Sequence, residues 1–149
     1  MTLTVPGKSI QPLRCIVSRV GKLDAAHPIF RKDGGAIHLL ATGNSAVQAP
    51  AGVTLHRGTL GDFLDELGGK FQVGHLHCEG GGQLIYELAA LDVIDEFHLT
   101  LAGHTLFGGH GAPTATGLPA EFLPQSGRFA LTHFQPMGEE CFLSYTRLR

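Results

Sequence analysis

The chain has 149 residues, of which 21 are glycine and 16% are Asp, Glu, Lys or Arg, and its formal net charge is −2. A hydrophobic fraction of 43% excludes a disordered chain, and the length suits one domain with its own core. The 11 basic residues are scattered among 13 acids, unlike the dense basic face that nucleic acid requires. No run of about 18 apolar residues is present. We therefore expect no nucleic-acid partner and no membrane partner.

The number and spacing of the cysteines indicate the cellular compartment of the protein. Cys15, Cys78 and Cys141 are far apart and form no CxxC pair. An odd number at such spacings does not make a disulfide framework. Because the N-terminus also lacks the apolar core of a secretory signal, we expect a cytoplasmic protein.

The first half of the sequence combines strand and helix patterns. Short apolar or β-branched runs at 13–17, 36–41 and 53–55 predict three strands. The next segment has the i, i+3, i+4, i+7 spacing of a helix, in Leu60, Phe63, Leu64 and Leu67. Thr59 is its predicted N-cap, and Gly68-Gly69 is its predicted end.

The second half begins with a predicted strand at 73–78 that leads into three glycines. A second helix follows, with one apolar face made by Leu84, Ile85, Leu88 and Leu91. A strand is predicted at 95–102. Alternating runs at 128–135 and 141–148 then predict an antiparallel hairpin.

Strands that are separated by helices favour parallel pairing with right-handed crossovers. The expected fold class is therefore α/β, with one mixed and mostly parallel sheet flanked by helices. The C-terminal hairpin would add antiparallel edge strands. No repeat or linker divides the chain, so a single domain over 1–149 is predicted.

The most informative motif is the strand–glycine–helix junction that carries Glu79, Gly80, Gly81, Gly82, Gln83 and Leu84. Three glycines at a helix start let a phosphate approach the backbone, where amide N–H groups and the positive helix end favour an anion. This position also matches the ligand crevice of open α/β sheets. The alternative is an ordinary tight turn, in which glycine supplies the backbone freedom.

Other candidates are weaker. A second glycine cluster at 107–114 would form either a ligand wall or a plain loop. Ser18 and Arg19 follow the first strand, where a hydroxyl and a guanidinium suit a phosphate monoester. His75 and His77 are two residues apart on a predicted strand, but the other histidines are dispersed, so no metal site is predicted.

Four blocks in order resemble one known family. They lie at 11–30, 78–84, 93–100 and 107–114, and include Cys78-Glu79-Gly80-Gly81-Gly82-Gln83-Leu84 and Val93-Ile94-Asp95-Glu96. Together they resemble the C-terminal reductase domain of the riboflavin-biosynthesis bifunctional deaminase/reductase. The resemblance extends from Pro12 to Leu148.

That resemblance implies a dihydrofolate-reductase-like fold, a homodimer and an enzymatic activity. The implied reaction is NADPH-dependent reduction of the ribosyl side chain of 5-amino-6-(5-phosphoribosylamino)uracil, a phosphoribosylaminopyrimidine, to ribityl by hydride transfer. It also implies the cofactor-binding residues. Ser18 and Arg19 would lie at the adenosine 2′-phosphate. Along the pyrophosphate would lie Gly81, Gly82, Gln83 and Leu84, with Gly80 leading in. Glu79 would approach the substrate. The resemblance assigns no proton-transfer residue.

Two departures from the family pattern bear on function. Many members have Thr where this chain has Gln83, and the family domain begins with a strand and helix that precede the first matching block. We therefore expect a reductase domain that is shortened at its N-terminus. The alternatives are a non-catalytic NADPH-binding or dimerisation module derived from the family, and another dinucleotide reductase of the dihydrofolate-reductase-like group.

Overall fold

The computed structural model describes residues 11–19, 23–31, 33–43, 47–102, 123 and 127–149. The predicted glycine cluster at 107–114 lies outside these residues. The chain divides into two units, 1–76 and 77–149, and each is described by itself. Over the described ranges, no helix has the length and apolar character needed to cross a membrane.

The first unit is a three-stranded parallel sheet with helices. Its elements are β1 (Arg14–Ser18), α1 (Pro28–Arg31), β2 (Ile37–Ala41), β3 (Val53–Arg57) and α2 (Leu60–Gly69). The strand order is β1-β2-β3, and both pairs are parallel, which confirms the predicted pairing. The single-turn helix α1 was not predicted; it begins at Pro28, a residue whose fixed φ suits the first helical position.

The core of this unit lies on β2. Every residue of this strand is buried, and Leu39 and Leu40 are almost completely so. Leu39 packs with Ala41 and Val47 on one face of the sheet. A central parallel strand is covered on both faces, which is why the sequence of β2 is nearly continuously apolar.

Helix α2 begins at the predicted cap. The Thr59 hydroxyl accepts a hydrogen bond from the Asp62 amide at 3.1 Å, and the Asp62 carboxylate accepts one from the Thr59 amide at 3.2 Å. This reciprocal pair is a capping box, and hydrogen bonding to Thr59 lowers the pKa of Asp62. Gly68 and Gly69 are the last helical residues, as predicted, and Gln72 follows with a φ of 55°.

The second unit contains one helix and an antiparallel sheet. Its elements are α3 (Gly82–Ala90), β4 (Glu96–Ala102), β5 (Phe129–Met137) and β6 (Glu140–Arg147). The order β4-β6-β5 is antiparallel throughout, which confirms the predicted hairpin. Its turn is Gly138-Glu139, and Gly138 has a φ of 62°, a left-handed conformation that glycine adopts without steric cost.

The C-terminal end of α3 differs from its prediction. The Asp92 amide bonds to the Ala89 carbonyl at 3.0 Å and the Val93 amide to the Leu88 carbonyl at 3.3 Å, as in a Schellman motif. The motif places Leu91 at the C-cap, where it is 43% exposed. Leu91 is therefore not part of the buried face, which centres on Leu88.

Two further predictions are corrected by the structure. Residues 73–78 form no strand, and the described strands lie in two three-stranded sheets instead of one. A strand needs a neighbouring edge to pair with, and alternation in the sequence does not show whether one is available. The exposed Leu76 and His77 mark the boundary between the two units at this segment.

Candidate functional site

The glycine run lies at the start of α3, as predicted. Gly81 is the N-cap, with extended backbone angles of −72° and 174°, and no side chain caps the helix. The amides of Leu84 and Ile85 both donate to the Gly81 carbonyl, at 3.0 and 3.2 Å. The preceding amides of the first turn lie where a helix offers no intrahelical acceptor. A helix start of this kind favours an anion through its amides and its positive end.

Gly80 and Gly81 are glycine for different physical reasons. A Cβ at Gly80 would lie 2.6 Å from Cδ2 and 3.0 Å from Cβ of Leu84, so the backbone there lies against the helix. A Cβ at Gly81 would meet nothing within 4 Å. Packing within the protein therefore explains Gly80, whereas Gly81 leaves the approach to the first helical turn open.

Glu79 precedes the glycines as an exposed carboxylate. Its side chain is 64% exposed, and one oxygen lies 3.7 Å from Nε2 of His77. An exposed pair at this distance contributes little stability. The carboxylate is thus accessible to a ligand and is not committed to a structural role.

Ser18 and Arg19 lie at the carboxyl edge of the parallel sheet in the first unit. The Ser18 carbonyl accepts a hydrogen bond from the Thr42 amide at 3.2 Å, which joins the ends of β1 and β2. Arg19 follows the strand and is exposed. The pattern of the sequence had placed both residues at a strand end, and this placement is confirmed.

The same edge carries polar residues that the sequence analysis did not single out. Thr42 follows β2, and Arg57 ends β3 just before the N-cap of α2. The Arg57 guanidinium donates to the Val47 carbonyl at 3.2 Å. Both residues could have been found in the sequence, because they lie at the carboxyl ends of predicted parallel strands, and such ends meet at one edge of a sheet.

The predicted site residues therefore fall into two groups. Glu79 to Leu84 are contiguous in the second unit, and Ser18 and Arg19 belong to the first. His75 and His77 are exposed in the irregular segment before the glycines. Within the described residues, no three His, Cys, Asp or Glu side chains are grouped as metal ligands would be.

One cluster of titratable side chains was missed. His38 and His56, treated above as dispersed, stack within the first unit with ring centroids 5.1 Å apart. Glu66 of α2 extends this pair toward the surface. Only the pairing of β2 with β3 brings the two histidines together, so no local sequence signal could have shown it.

A parallel sheet, a C-terminal antiparallel sheet and a glycine turn at a helix start together match the dihydrofolate-reductase-like fold of reductases. The family model for the RibD C-terminal domain matches residues 2–143. The chain belongs to this family of riboflavin-biosynthesis pyrimidine reductases, which confirms the resemblance stated from the four blocks.

Solved structures agree on the fold. RibD of Acinetobacter baumannii superposes with a TM-score of 0.71 at 21% identity, covering 92% of this chain and 38% of that one. A diaminohydroxyphosphoribosylaminopyrimidine deaminase/5-amino-6-(5-phosphoribosylamino)uracil reductase from Thermotoga maritima gives 0.72 at 18% identity, with coverages of 99% and 41%. The riboflavin biosynthesis reductase Rib7 of Saccharomyces cerevisiae gives 0.63 at 15% identity, with coverages of 93% and 70%.

The chain thus spans about two fifths of the length of the first two of these proteins. A search of curated proteins finds no match.

Proposed function

We propose that this chain is an NADPH-dependent pyrimidine reductase domain. Its reaction would be reduction of the ribosyl side chain of 5-amino-6-(5-phosphoribosylamino)uracil to ribityl. The observation that carries the proposal is the uncapped start of α3, where Gly81 supplies no side chain and a Cβ would meet only open space. Membership of the reductase family supports NADPH as the anionic ligand at this helix start.

The residues present fit a dinucleotide. Gly81, Gly82 and Gln83 would hold the pyrophosphate through backbone amides, with Gly80 leading in and Leu84 supporting the turn. Gln83 supplies a side-chain amide where many family members have a hydroxyl, so hydrogen-bond donation at this position is retained. NADPH, when bound, would supply the hydride.

Ser18 and Arg19 would select the phosphorylated cofactor. A guanidinium binds a phosphate monoester with two charge-assisted hydrogen bonds, and a neighbouring hydroxyl adds another donor. Both residues lie at the carboxyl edge of the parallel sheet, where α/β proteins bind nucleotides. The proposed preference for NADPH over NADH depends on this pair.

Glu79 would orient the substrate. Its accessible carboxylate directly precedes the glycines, so it would accept hydrogen bonds from ribosyl hydroxyls beside the cofactor. We assign it no proton transfer. We further propose that the protein acts as a homodimer in the cytoplasm.

The test is a cofactor titration of the full chain and of Gly81→Asp. The chain has no tryptophan, so binding is followed in the emission of the reduced nicotinamide itself. The new carboxylate would occupy the proposed cofactor cradle at the start of α3, and loss of one charge-assisted contact of roughly 1.5–3 kcal/mol weakens NADPH binding about 10- to 100-fold. Asp is also a good N-cap, so the variant should be at least as stable as the wild type without cofactor.

Gly68→Asp is the matched control, because a Cβ there meets nothing within 4 Å and the residue lies on α2. It adds the same charge and should bind NADPH normally. Unchanged affinity in Gly81→Asp would refute the phosphate role. Saturable binding without NADPH consumption in the presence of the pyrimidine would select the non-catalytic module instead.

A further inference from the structure

Two histidines are buried side by side between the parallel sheet and α2. His38 on β2 and His56 on β3 are 2% and 8% exposed. In the strand register His38 pairs with Thr54 and Leu40 with His56, so the two imidazoles are diagonal neighbours on one face of the sheet. Their nitrogens, Nδ1 of His38 and Nε2 of His56, are 2.9 Å apart.

The contact continues to the surface through α2. Nδ1 of His56 lies 2.8 Å from Oε2 of Glu66, and Oε1 of Glu66 accepts from Nζ of Lys70 at 3.0 Å. Phe63 and Phe71 pack their rings against the histidines. The ionisable groups that face His38 are thus His56 from β3, Glu66 from α2 and Lys70 at its C-cap.

This geometry limits how many protons the pair can hold. With both rings neutral, Nδ1–H of His56 donates to Glu66, so its bare Nε2 accepts from Nδ1–H of His38. One added proton is accommodated if His56 becomes an imidazolium and His38 changes tautomer to accept at Nδ1. Two added protons would set N–H against N–H at 2.9 Å and place two positive charges side by side away from water.

We propose that His38, His56 and Glu66 form a proton-sensitive lock that holds α2 on the parallel sheet and opens when both histidines are protonated. Burial first, and then the neighbouring His56, lowers the pKa of His38, so the second proton binds more readily to the unfolded chain. Stability from this source is complete above the unfolded pKa of about 6.5 and is lost as pH falls toward the lowered folded pKa.

The test is urea unfolding of the full chain between pH 7.5 and 5.0, compared with His38→Asn. The Asn amide nitrogen is attached to Cγ, as Nδ1 is in His, so it still donates to His56 but does not titrate. As the pH falls below 6.5, the unfolding equilibrium constant of the wild type should rise more steeply than that of the variant. The difference should reach up to about tenfold for each pH unit. The quantity compared is the slope of the free energy of unfolding against pH. Any loss of packing in the variant lowers its free energy of unfolding by the same amount at every pH and leaves the slope unchanged.

His75→Asn is the control, because His75 is exposed in the same unit; its slope should match the wild type. Equal slopes for the wild type and His38→Asn would overturn the proposal. If His38→Asn does not fold, ring NMR titration of the wild type decides. The lock requires that the folded pair takes up no more than one proton beyond its neutral state near pH 6, and uptake of two added protons there with the fold intact would refute it.

Discussion

Gly35 lies where its backbone closely approaches that of Gln11 and Pro12. A Cβ added there would be 2.0 Å from the Pro12 carbonyl oxygen, 2.7 Å from its carbon and 2.8 Å from the Gln11 oxygen. All three are backbone atoms, so no side chain can rotate away. We predict that Gly35→Ala severely destabilises the parallel sheet.

The magnitude follows from what must move. Real Cβ atoms stay at least 3.0 Å from other heavy atoms, so the segments must separate by about 1 Å. That separation strains the Arg14 amide bond to the Ala36 carbonyl and the Arg14 Nε bond to the Gly35 carbonyl, both 2.9 Å long. Two hydrogen bonds at about 1 kcal/mol each and overpacking of about 1–3 kcal/mol give a loss of roughly 4 kcal/mol.

The assay is urea unfolding followed by far-ultraviolet circular dichroism, with Gly68→Ala as the matched control. Gly68 lies in α2 and a Cβ there meets nothing within 4 Å, so alanine should raise the free energy of unfolding by about 1 kcal/mol through helix propensity. The same substitution is thus expected to act with opposite sign at the two sites. If the free energy of unfolding of Gly35→Ala were within 1 kcal/mol of the wild-type value, the close backbone approach at Gly35 would be refuted.

Two further outcomes are expected. Thr59→Ala removes the capping box of α2 and should lower the free energy of unfolding by about 1 kcal/mol, whereas Thr59→Ser should restore it; equal stability of all three in denaturant unfolding would contradict the cap's role. Arg19→Ala should weaken NADPH binding about 10- to 100-fold by removing a charge-assisted contact while leaving NADH binding unchanged; equal losses for both cofactors in titrations would show that Arg19 does not contact the 2′-phosphate.

The parts of the fold that could be predicted rest on short-range physics. Thr59 and Asp62 are three residues apart, so the capping box that starts α2 is written within one turn. Gly138 begins a two-residue turn between alternating runs, which by itself joins β5 to β6. The parallel pairing of β1, β2 and β3 was expected instead from the order of strands and helices along the chain.

The predictions that were wrong concern features that depend on residues distant in sequence. Residues 73–78 alternate as a strand would, yet no described strand pairs with them. Leu91 continues the apolar spacing of α3, but the left-handed Asp92 beside it ends the helix. Arg147 of β6 bonds to both the carbonyl and the carboxylate of Asp92, a contact across 55 residues that helical periodicity does not encode.

The same distinction between local and distant determinants applies to the candidate site and the histidine pair. The glycine run was visible because a phosphate cradle needs only consecutive backbone amides, but the sequence alone could not separate Gly80, which packs on Leu84, from Gly81, which is open. The histidine pair was invisible because a register between two strands creates it. Gly81→Asp and His38→Asn therefore test two independent proposals, since the proposed proton-sensitive lock does not depend on the proposed cofactor cradle.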